Sequence, residues 1–344
     1  MYVSEIRLDS RLDAEDFERL LRGEGIERDR YLDYAVGLRD DDDRLVAAGG
    51  CFANTLRCLA VDSAHRGEGL LNRVLSLLSG YEAEWGYYHL FLYTKCGSAR
   101  FFNDAGFYEI ARVPNFLSFM ENRRDGFENF LRKLSDETPE NKRRGTIAAI
   151  VLNANPFTLG HRHLAETASA NNDVVHIFVV SEDASLFSFK DRYELVKAGC
   201  ADLKNIVFHG TDSYMVSRAV FPSYFLGGGD TMSAEAQARL DLALFARIAN
   251  NLGITRRYVG EEPFSKVTAL YNSVMQKELK NAGVECAVEP RKEHRAQPIS
   301  ASGVRRLLKE SRWDEVRSLV PAATFEYLSN LPIGYFDSGA QLSK

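Results

Sequence analysis

Cysteine is scarce and scattered in this sequence, which excludes two kinds of structural site. There are five cysteines and no CxxC pair: Cys51, Cys58, Cys96, Cys200 and Cys286. An odd number of separated thiols predicts neither a disulfide framework nor a zinc site, and it is typical of proteins from a reducing compartment. We therefore expect no structural metal ion.

Long hydrophobic runs and an excess of positive charge are also absent. The apolar run Val174–Val180 is far shorter than the roughly 20 residues that a membrane helix needs. The opening residues, MYVSEIRLDSRLD, contain no apolar core of signal-peptide length. The formal net charge of −5 gives no sign of a clustered basic face for nucleic acid. These patterns predict a cytoplasmic protein with no membrane or nucleic-acid partner.

The chain is long enough for two domains, since its 344 residues exceed the length of one average domain. Residues 123–145 are highly charged and contain one amphipathic stretch and Pro139, which indicates a linker. We expect an N-terminal domain at 1–122, a charged linker at 123–145 and a C-terminal domain at 146–344.

Strand and helix patterns alternate differently in the two parts. The first 120 residues read as a helix, a hairpin at 32–38 and 44–52, and further strands and helices, which predicts an α+β domain. From Thr146 onward, β-branched apolar runs alternate with amphipathic helices. That alternation indicates a doubly wound, Rossmann-like parallel sheet with helices on both faces.

The segment AIVLNANPFTLGHRH, from Ala149 to His163, carries the clearest chemical signal. A buried strand runs into a turn that opens directly into a helix, and ligands of parallel sheets bind at such strand ends. Free N–H groups at a helix N-terminus suit a phosphate, and Gly160 would allow close backbone approach. His161 lies on the first turn, where it would donate a hydrogen bond. A simple helix cap is the alternative.

Two further segments strengthen the phosphate interpretation. The stretch ISASGVR, beginning at Ile299, places Ser300, Ser302 and Arg305 at the start of a helix, and SLFSFKDR places Lys190 and Arg192 at the start of another. Hydroxyl groups and arginines suit a triphosphate. Cations at a helix N-terminus oppose its dipole, so a bound anion would compensate. Serine capping and solvated charge are the alternatives.

Together these segments resemble the nucleotidyltransferase superfamily, which carries a TxGH or HxGH signature and a later ISxxxxR-like signature. Here they read Thr158-Leu-Gly-His161 and Ile299-Ser-Ala-Ser-Gly-Val-Arg305. A closer resemblance, to the citrate lyase ligase family, rests on NANPFTLGHRHL, SEDASLFSFKDRYELVKAG, FPSYFL, GEEPFSKVTALYN and PRKE, in that order along nearly the whole chain.

This resemblance implies that acetate attacks the α-phosphate of ATP, with Mg²⁺ on the triphosphate, to give acetyl-adenylate and pyrophosphate. The acetyl group would then pass to the thiol of a dephospho-CoA-type prosthetic group on the acyl carrier (gamma) subunit of citrate lyase. Arg218 and Arg291 are candidate contacts for the carboxylate, and the glycine-rich loop Leu226–Asp230 is a candidate lid.

The residues assigned to this chemistry form two sets. The catalytic set contains His161, Lys190, Arg192 and Arg305. The nucleotide-binding set contains Asn155, Pro156, Phe157, Thr158, Gly160, Glu261, Ser300 and Ser302. Acetate is already an anion, so the reaction needs positioning and charge stabilisation more than a strong base.

The N-terminal half resembles the GNAT acetyltransferases. Arg66-Gly67-Glu-Gly69 matches their RxxGxG/A signature for a CoA pyrophosphate, except that Leu71 occupies its last position. Phe102 stands where those enzymes often have a tyrosine acid, and a phenyl ring cannot donate a proton. We expect this half to bind a CoA-like ligand through Arg66, Gly67 and Gly69, or to serve as a docking surface.

Two other functions remain open from the sequence. An adenylyltransferase would build a dinucleotide cofactor and depend on a phosphorylated co-substrate instead of acetate. A non-catalytic nucleotide- or CoA-binding protein would bind without turnover.

Overall fold

The computed structural model describes residues 1–29, 31–181, 185–215, 230–261, 266–332 and 334–336. Its described parts form two compact units, one within Met1–Phe127 and Arg218–Leu240, the other within Glu128–Ser217 and Asp241–Lys344. The predicted linker range contains a helix, Gly126–Glu137, and the second unit begins inside it at Glu128. The expected boundaries at 122 and 146 stay predictions.

Before residue 126, the first unit is a mixed sheet with three α-helices among its described residues; residues 230–240 of the unit begin a helix that continues into the second unit. The strands follow the order β1-β2-β3-β4-β5-β7-β6. Their bounds are β1 Tyr2–Glu5, β2 Tyr34–Arg39, β3 Leu45–Phe52, β4 Thr55–Val61, β5 Phe91–Thr94, β6 Tyr108–Val113 and β7 Leu117–Glu121, and the helices are α1 Arg11–Gly23, α2 Leu70–Glu84 and α3 Ala99–Asp104. The predicted α+β organisation is confirmed.

The strands β4 and β5 give this sheet its functional shape. They are parallel neighbours, whereas the other strand pairs of the sheet are antiparallel. Their pairing is short: Thr55 lies opposite Phe91, and Leu56 lies opposite Leu92. Beyond that point β4 continues through Cys58, whose φ of 53° lies in the left-handed region. The two strands therefore part toward the carboxyl end of β4, where the loop that contains Arg66 and Gly69 follows.

The second unit contains a parallel sheet in the order β10-β9-β8-β11-β12. Its elements are α4 Gly126–Glu137, β8 Ile147–Leu152, α5 Leu159–Asn171, β9 Val174–Val179, α6 Phe189–Gly199, β10 Ile206–Gly210, α7 Asp230–Leu252, β11 Arg256–Gly260, α8 Lys266–Asn281, β12 Glu285–Glu289, the short pair β13 Glu293–His294 and β14 Gln297–Pro298, α9 Ala301–Lys309, α10 Trp313–Leu319 and α11 Ala322–Ser329. β13 and β14 pair antiparallel and lead into α9.

Helices cover both faces of the parallel sheet, as the doubly wound prediction requires. On one face, α5 and α6 pack through Leu164 and Val196 against the core residues of β8 and β9. On the other face, α4 contacts β10 through Glu137 and His209, and α7 places Phe245 beneath the guanidinium of Arg257. Both faces of the central strands are buried, which explains why β8 and β9 are apolar except at His176.

Among the described residues, no helix combines the length and the apolar character that crossing a membrane requires.

Buried histidines should make the second unit sensitive to acid. His209 Nδ1 lies 2.7 Å from Glu137 Oε2, and its Nε2 lies 2.9 Å from His176 Nδ1. Burial first, and then neighbouring positive charge, lowers the pKa of His176 to about 3 and of His209 to about 4. Folded histidines thus stay neutral at pH values where the unfolded chain binds protons.

We expect the free energy of unfolding to fall as pH drops from about 6.5 to about 4, by up to about 1.4 kcal/mol per pH unit for each histidine. His209→Gln should make this slope shallower because it removes one histidine that binds a proton in the unfolded chain but not in the folded protein. Urea unfolding across this pH range measures it, with the variant at pH 7.5 giving the cost unrelated to protonation. An unchanged slope would contradict the buried neutral pair.

Candidate functional site

The candidate site lies where the parallel sheet reverses its strand order. From β8 the chain proceeds outward to β9 and β10 on one side, and then to β11 and β12 on the other. Loops that leave neighbouring strands part at such a point and form a crevice at the carboxyl ends. Residues 153–158 follow β8 and Glu261 follows β11. The sheet therefore brings these predicted segments to one edge.

The first turn of α5 is fixed by a reciprocal cap between Thr158 and His161. The Thr158 side chain accepts a hydrogen bond from the His161 backbone N–H, and the backbone N–H of Thr158 donates to His161 Nδ1 at 3.1 Å. Thr158 is 1% exposed, so its hydroxyl serves the cap. The predicted helix cap is confirmed, and it sets the imidazole in place. The phosphate contact of His161 stays a prediction.

This cap determines the protonation of His161. Since Nδ1 accepts a backbone proton, a neutral ring carries its hydrogen on Nε2. Burial, with the charge of Arg291 as a second cause, lowers the pKa of His161 to about 4. The ring is therefore a neutral hydrogen-bond donor at physiological pH and is poorly suited to act as a proton-accepting base.

Phe157 supports this imidazole from the core side. Its ring is fully buried, stacks on His161 with centroids 5.8 Å apart and packs against Gly199. The preceding Asn155–Pro156 peptide is cis. A side chain with no exposed surface cannot touch a ligand, so the predicted contact of Phe157 would have to come from its backbone.

The first turn of α5 contacts Ile299, the residue just before the N-cap of α9. A Cβ placed on Gly160 would lie 3.0 Å from the carbonyl oxygen of Ile299. Ser300 caps α9 by accepting from the Gly303 N–H at 3.0 Å, and its hydroxyl lies 3.2 Å from that of Ser302. The two signature segments, distant in sequence, thus share one site. The close partner of Gly160 in this structure is protein backbone.

Arg305 connects α9 to the loop after β8. Its Nη1 donates to the carbonyl oxygen of Asn155, and burial lowers the pKa of its guanidinium. The Asn155 side-chain oxygen in turn accepts from the backbone N–H of Phe187 at 3.4 Å. Arg305 is half-buried, and its guanidinium lies beside the loop that follows β8.

Arg192 lies in a different environment from the one predicted. It is fully buried, and its guanidinium donates to the carbonyl oxygens of Phe187, Asn153 and Val180 at 3.0, 2.9 and 2.7 Å. These contacts hold the backbone behind the site. The phosphate contact predicted for Arg192 would require surface that this side chain does not expose.

Lys190 and Glu261 both face outward. Lys190 is exposed on the first turn of α6, which is capped by Ser188. Glu261 is exposed after β11, and its carbonyl oxygen accepts from Arg291 Nε at 2.6 Å. Arg291 thus joins Arg192 and Arg305 near this edge of the sheet, and its positive charge helps to lower the pKa of His161.

Some predicted features lie outside the described residues, namely Arg218, the segment FPSYFL and residues 226–229 of the candidate lid. Within the part of the chain that the structure describes, no group of three or more His, Cys, Asp or Glu side chains could hold a metal ion.

The first unit contains a second candidate site in the gap between β4 and β5. A cavity of about 700 Å³ is lined by Arg66, Gly67 and Gly69, by Tyr93 and Lys95 near the end of β5, and by Phe102 on α3. Gly67 and Gly69 have φ values of 87° and 73°, with open space where side chains would stand. Gly69 also precedes α2 without a capping side chain.

The charges of this cavity are largely compensated. Arg66 forms an ion pair with Glu24, and Lys95 Nζ donates to the Gly25 carbonyl oxygen at 3.2 Å. Phe102 is 6% exposed and forms an apolar wall of the cavity. It stands at the position where a tyrosine would have supplied a proton donor. The backbone amides at the start of α2 are therefore the main feature suited to an anion.

Comparisons with known proteins identify the family. The family described as citrate lyase ligase C-terminal domain matches residues 147–328. The [Citrate [pro-3S]-lyase] ligase of Klebsiella pneumoniae is 37% identical over 92% of this chain and 93% of its own length. The Escherichia coli (strain K12) protein of the same name is 38% identical over 84% of this chain and 83% of its own.

A more distant likeness exists among solved structures. Thermotoga maritima TmcAL bound with alpha-thio ATP shares 15% identity over 54% of this chain and 55% of that one, with a TM-score of 0.36.

Gly160→Ala should push α5 and α9 apart. The added methyl group meets the Ile299 carbonyl, so we expect a loss of about 1–3 kcal/mol in the free energy of unfolding despite the better helix propensity of alanine. Gly80→Ala is the matched control, because nothing lies within 4 Å of its Cβ position in α2. It should stabilise by about 0.5–1 kcal/mol. Equal effects in urea unfolding would contradict the close approach.

Proposed function

Because the chain belongs to the citrate lyase ligase family, we propose that it is an ATP-dependent acid–thiol ligase that activates acetate as acetyl-adenylate. The acceptor of the acetyl group is the thiol of the dephospho-CoA-type prosthetic group on the citrate lyase acyl carrier (gamma) subunit. The cytoplasmic location expected from the sequence is part of the same proposal.

The proposed reaction has two steps. An acetate oxygen attacks the α-phosphorus of ATP, the bond from that phosphorus to the bridging oxygen breaks, and pyrophosphate leaves. The carrier thiolate then attacks the acetyl carbon, and AMP leaves with the electrons of the broken C–O bond. The thiol proton passes to solvent. Neither step needs an oxidant or a reductant, and the first needs no base because acetate is already ionised.

The meeting of two helix N-termini is the observation that carries this proposal. The contact between Gly160 and Ile299 brings the starts of α5 and α9 close together, and the partial positive charge of two such helix starts would favour a polyanion bound beside them. Lys190, Arg291 and Arg305 would add formal positive charge around a ligand bound there. An ATP triphosphate supplies the negative charge that this arrangement favours.

His161 acts in this proposal as a fixed hydrogen-bond donor. Its Nε2–H would donate to an α-phosphate oxygen, on which charge increases as pyrophosphate departs. Because Nδ1 already accepts a hydrogen bond from Thr158, the neutral imidazole would not have to reorient during the step. Ser300 and Ser302 would contact the triphosphate beside Arg305.

Magnesium would enter as part of the substrate, MgATP. Mg²⁺ usually keeps several waters and binds substrate phosphates together with one or two carboxylates. Glu261 is the exposed carboxylate that follows β11 at the site edge, so it suits a contact to the ion directly or through its water.

The cavity of the first unit would bind a CoA-like molecule. Its glycine-lined turn and uncapped helix start fit a pyrophosphate, and its apolar walls fit a pantetheine arm. Phe102 provides no proton donor, so we propose binding there without acetyl transfer of the usual GNAT kind.

The decisive experiment is MgATP–pyrophosphate exchange with and without acetate. We expect acetate-dependent exchange in the wild-type protein and a loss of about 100-fold or more in His161→Ala, because removing one donor to a developing oxyanion costs about 10²–10³ in rate. His163→Ala is the matched control on the same helix and should retain activity.

Two outcomes would overturn this assignment. Equal losses in His161→Ala and His163→Ala would show that His161 has no special role. Absence of acetate-dependent exchange, even with the carrier subunit present, would exclude the ligase. Exchange that depends on a phosphorylated co-substrate would then indicate an adenylyltransferase, and ATP binding without exchange would indicate a binding protein.

The CoA-like ligand is tested by calorimetry on the full chain. We expect dephospho-CoA to bind, and Arg66→Ala to weaken it by about three- to tenfold, since one largely exposed charged hydrogen bond is worth about 1 kcal/mol. Arg19→Ala, which removes an exposed arginine of α1, is the control and should not change the affinity. No binding by the wild-type protein would favour the docking-surface alternative.

A further inference from the structure

Arg192 occupies an unusual position for a cation in this molecule. The parallel pairing of β8 and β9 ends at Leu152 and Val179. The carbonyl oxygens of the next residues in the two strands, Asn153 and Val180, both accept from Arg192 Nη1, at 2.9 and 2.7 Å. The guanidinium thus connects the two strands one residue beyond the last pair of residues in the β8–β9 register.

The same side chain also reaches the start of α6. Arg192 Nε donates to the Phe187 carbonyl oxygen at 3.0 Å, and Nη1 also donates to Asn153 Oδ1 at 2.9 Å. One buried group therefore joins two strand ends and the segment that precedes α6. A planar guanidinium with several donors can satisfy such a set of acceptors, whereas the single ammonium nitrogen of lysine cannot match its geometry.

These bonds determine where the loop after β8 begins. Asn153 lies two residues before Asn155. The carbonyl oxygen of Asn155 accepts a hydrogen bond from Arg305, and its side-chain oxygen accepts one from the Phe187 N–H. The same loop ends at Thr158, which caps α5 and holds His161. Fixing Asn153 thus fixes the path toward both groups that face the crevice.

We propose that Arg192 is a positioning residue for the adenylating site. It holds the ends of β8 and β9 in register with α6 so that His161 and Arg305 point at the same phosphate. Its guanidinium is fully buried and acts through these neighbours without touching ATP. This inference rests on the proposed function for its activity readout.

The test compares two buried arginines of the second unit. Arg192→Lys should lower kcat for acetate-dependent MgATP–pyrophosphate exchange by about 10- to 100-fold, because small displacements at a reacting centre are costly. The KM for MgATP should change little. Arg257→Lys is the control, since Arg257 is 4% exposed and lies over Phe245 on the other face of the sheet. It should lose comparable stability and keep its kcat.

A second variant covers the case in which Arg192→Lys folds poorly. Asn153 is exposed, so Asn153→Ala removes one acceptor of Arg192 without leaving a buried cavity. It should lower kcat by a smaller factor. If both residues act through their mutual bond, the double variant should lose less than the product of the two single effects. Fully multiplicative losses, or equal kcat losses in Arg192→Lys and Arg257→Lys, would overturn the proposal.

A readout without catalysis separates this inference from the proposed function. If the wild-type protein shows no acetate-dependent exchange, the proposed function fails and amide hydrogen exchange decides the positioning role. Residues 153–161 should then exchange faster in Arg192→Lys than in Arg257→Lys. Equal protection of this segment in the two variants would overturn the role of Arg192.

Discussion

The close approach of α5 and α9 at Gly160 is the constraint on which the site of the second unit depends. A side chain at this position would crowd the Ile299 carbonyl, which would lie only 3.0 Å from its Cβ. The approach brings together two helix ends of the same sign, which repel each other through their dipoles. An anionic ligand would relieve this repulsion, which supports the phosphate site proposed here.

The polar residues around this contact divide into those that hold the backbone and those that face the crevice. Thr158 and Ser300 cap the two helices, and Arg192 joins the strand ends behind them. Lys190 and Glu261 are exposed. The buried side chains hydrogen-bond to backbone groups and so fix the backbone that carries the exposed side chains. Catalysis by positioning requires such a fixed backbone.

Residue type and local pattern predict where this site lies, while burial depends on contacts that the pattern does not contain. The strand–turn–helix pattern at Ala149–His163 correctly predicts β8 and α5, and the start of α9 lies within one residue of its prediction. The sequence cannot show that Arg192 faces the carbonyl of Val180, because that contact arises only when β9 and α6 pack together. The four-residue edge strand β1 was missed because it is too short for a period to be read.

The cap between Thr158 and His161 has a consequence for the chemical environment in which the protein can work. With one ring nitrogen committed to a backbone proton and a pKa near 4, the imidazole is a permanent dipole and not a titrating charge. Mild acidification therefore leaves the field of this residue unchanged. An enzyme that consumes a weak acid would then respond to acidity through the ionisation of its substrate, while its own hydrogen-bond donor stays constant.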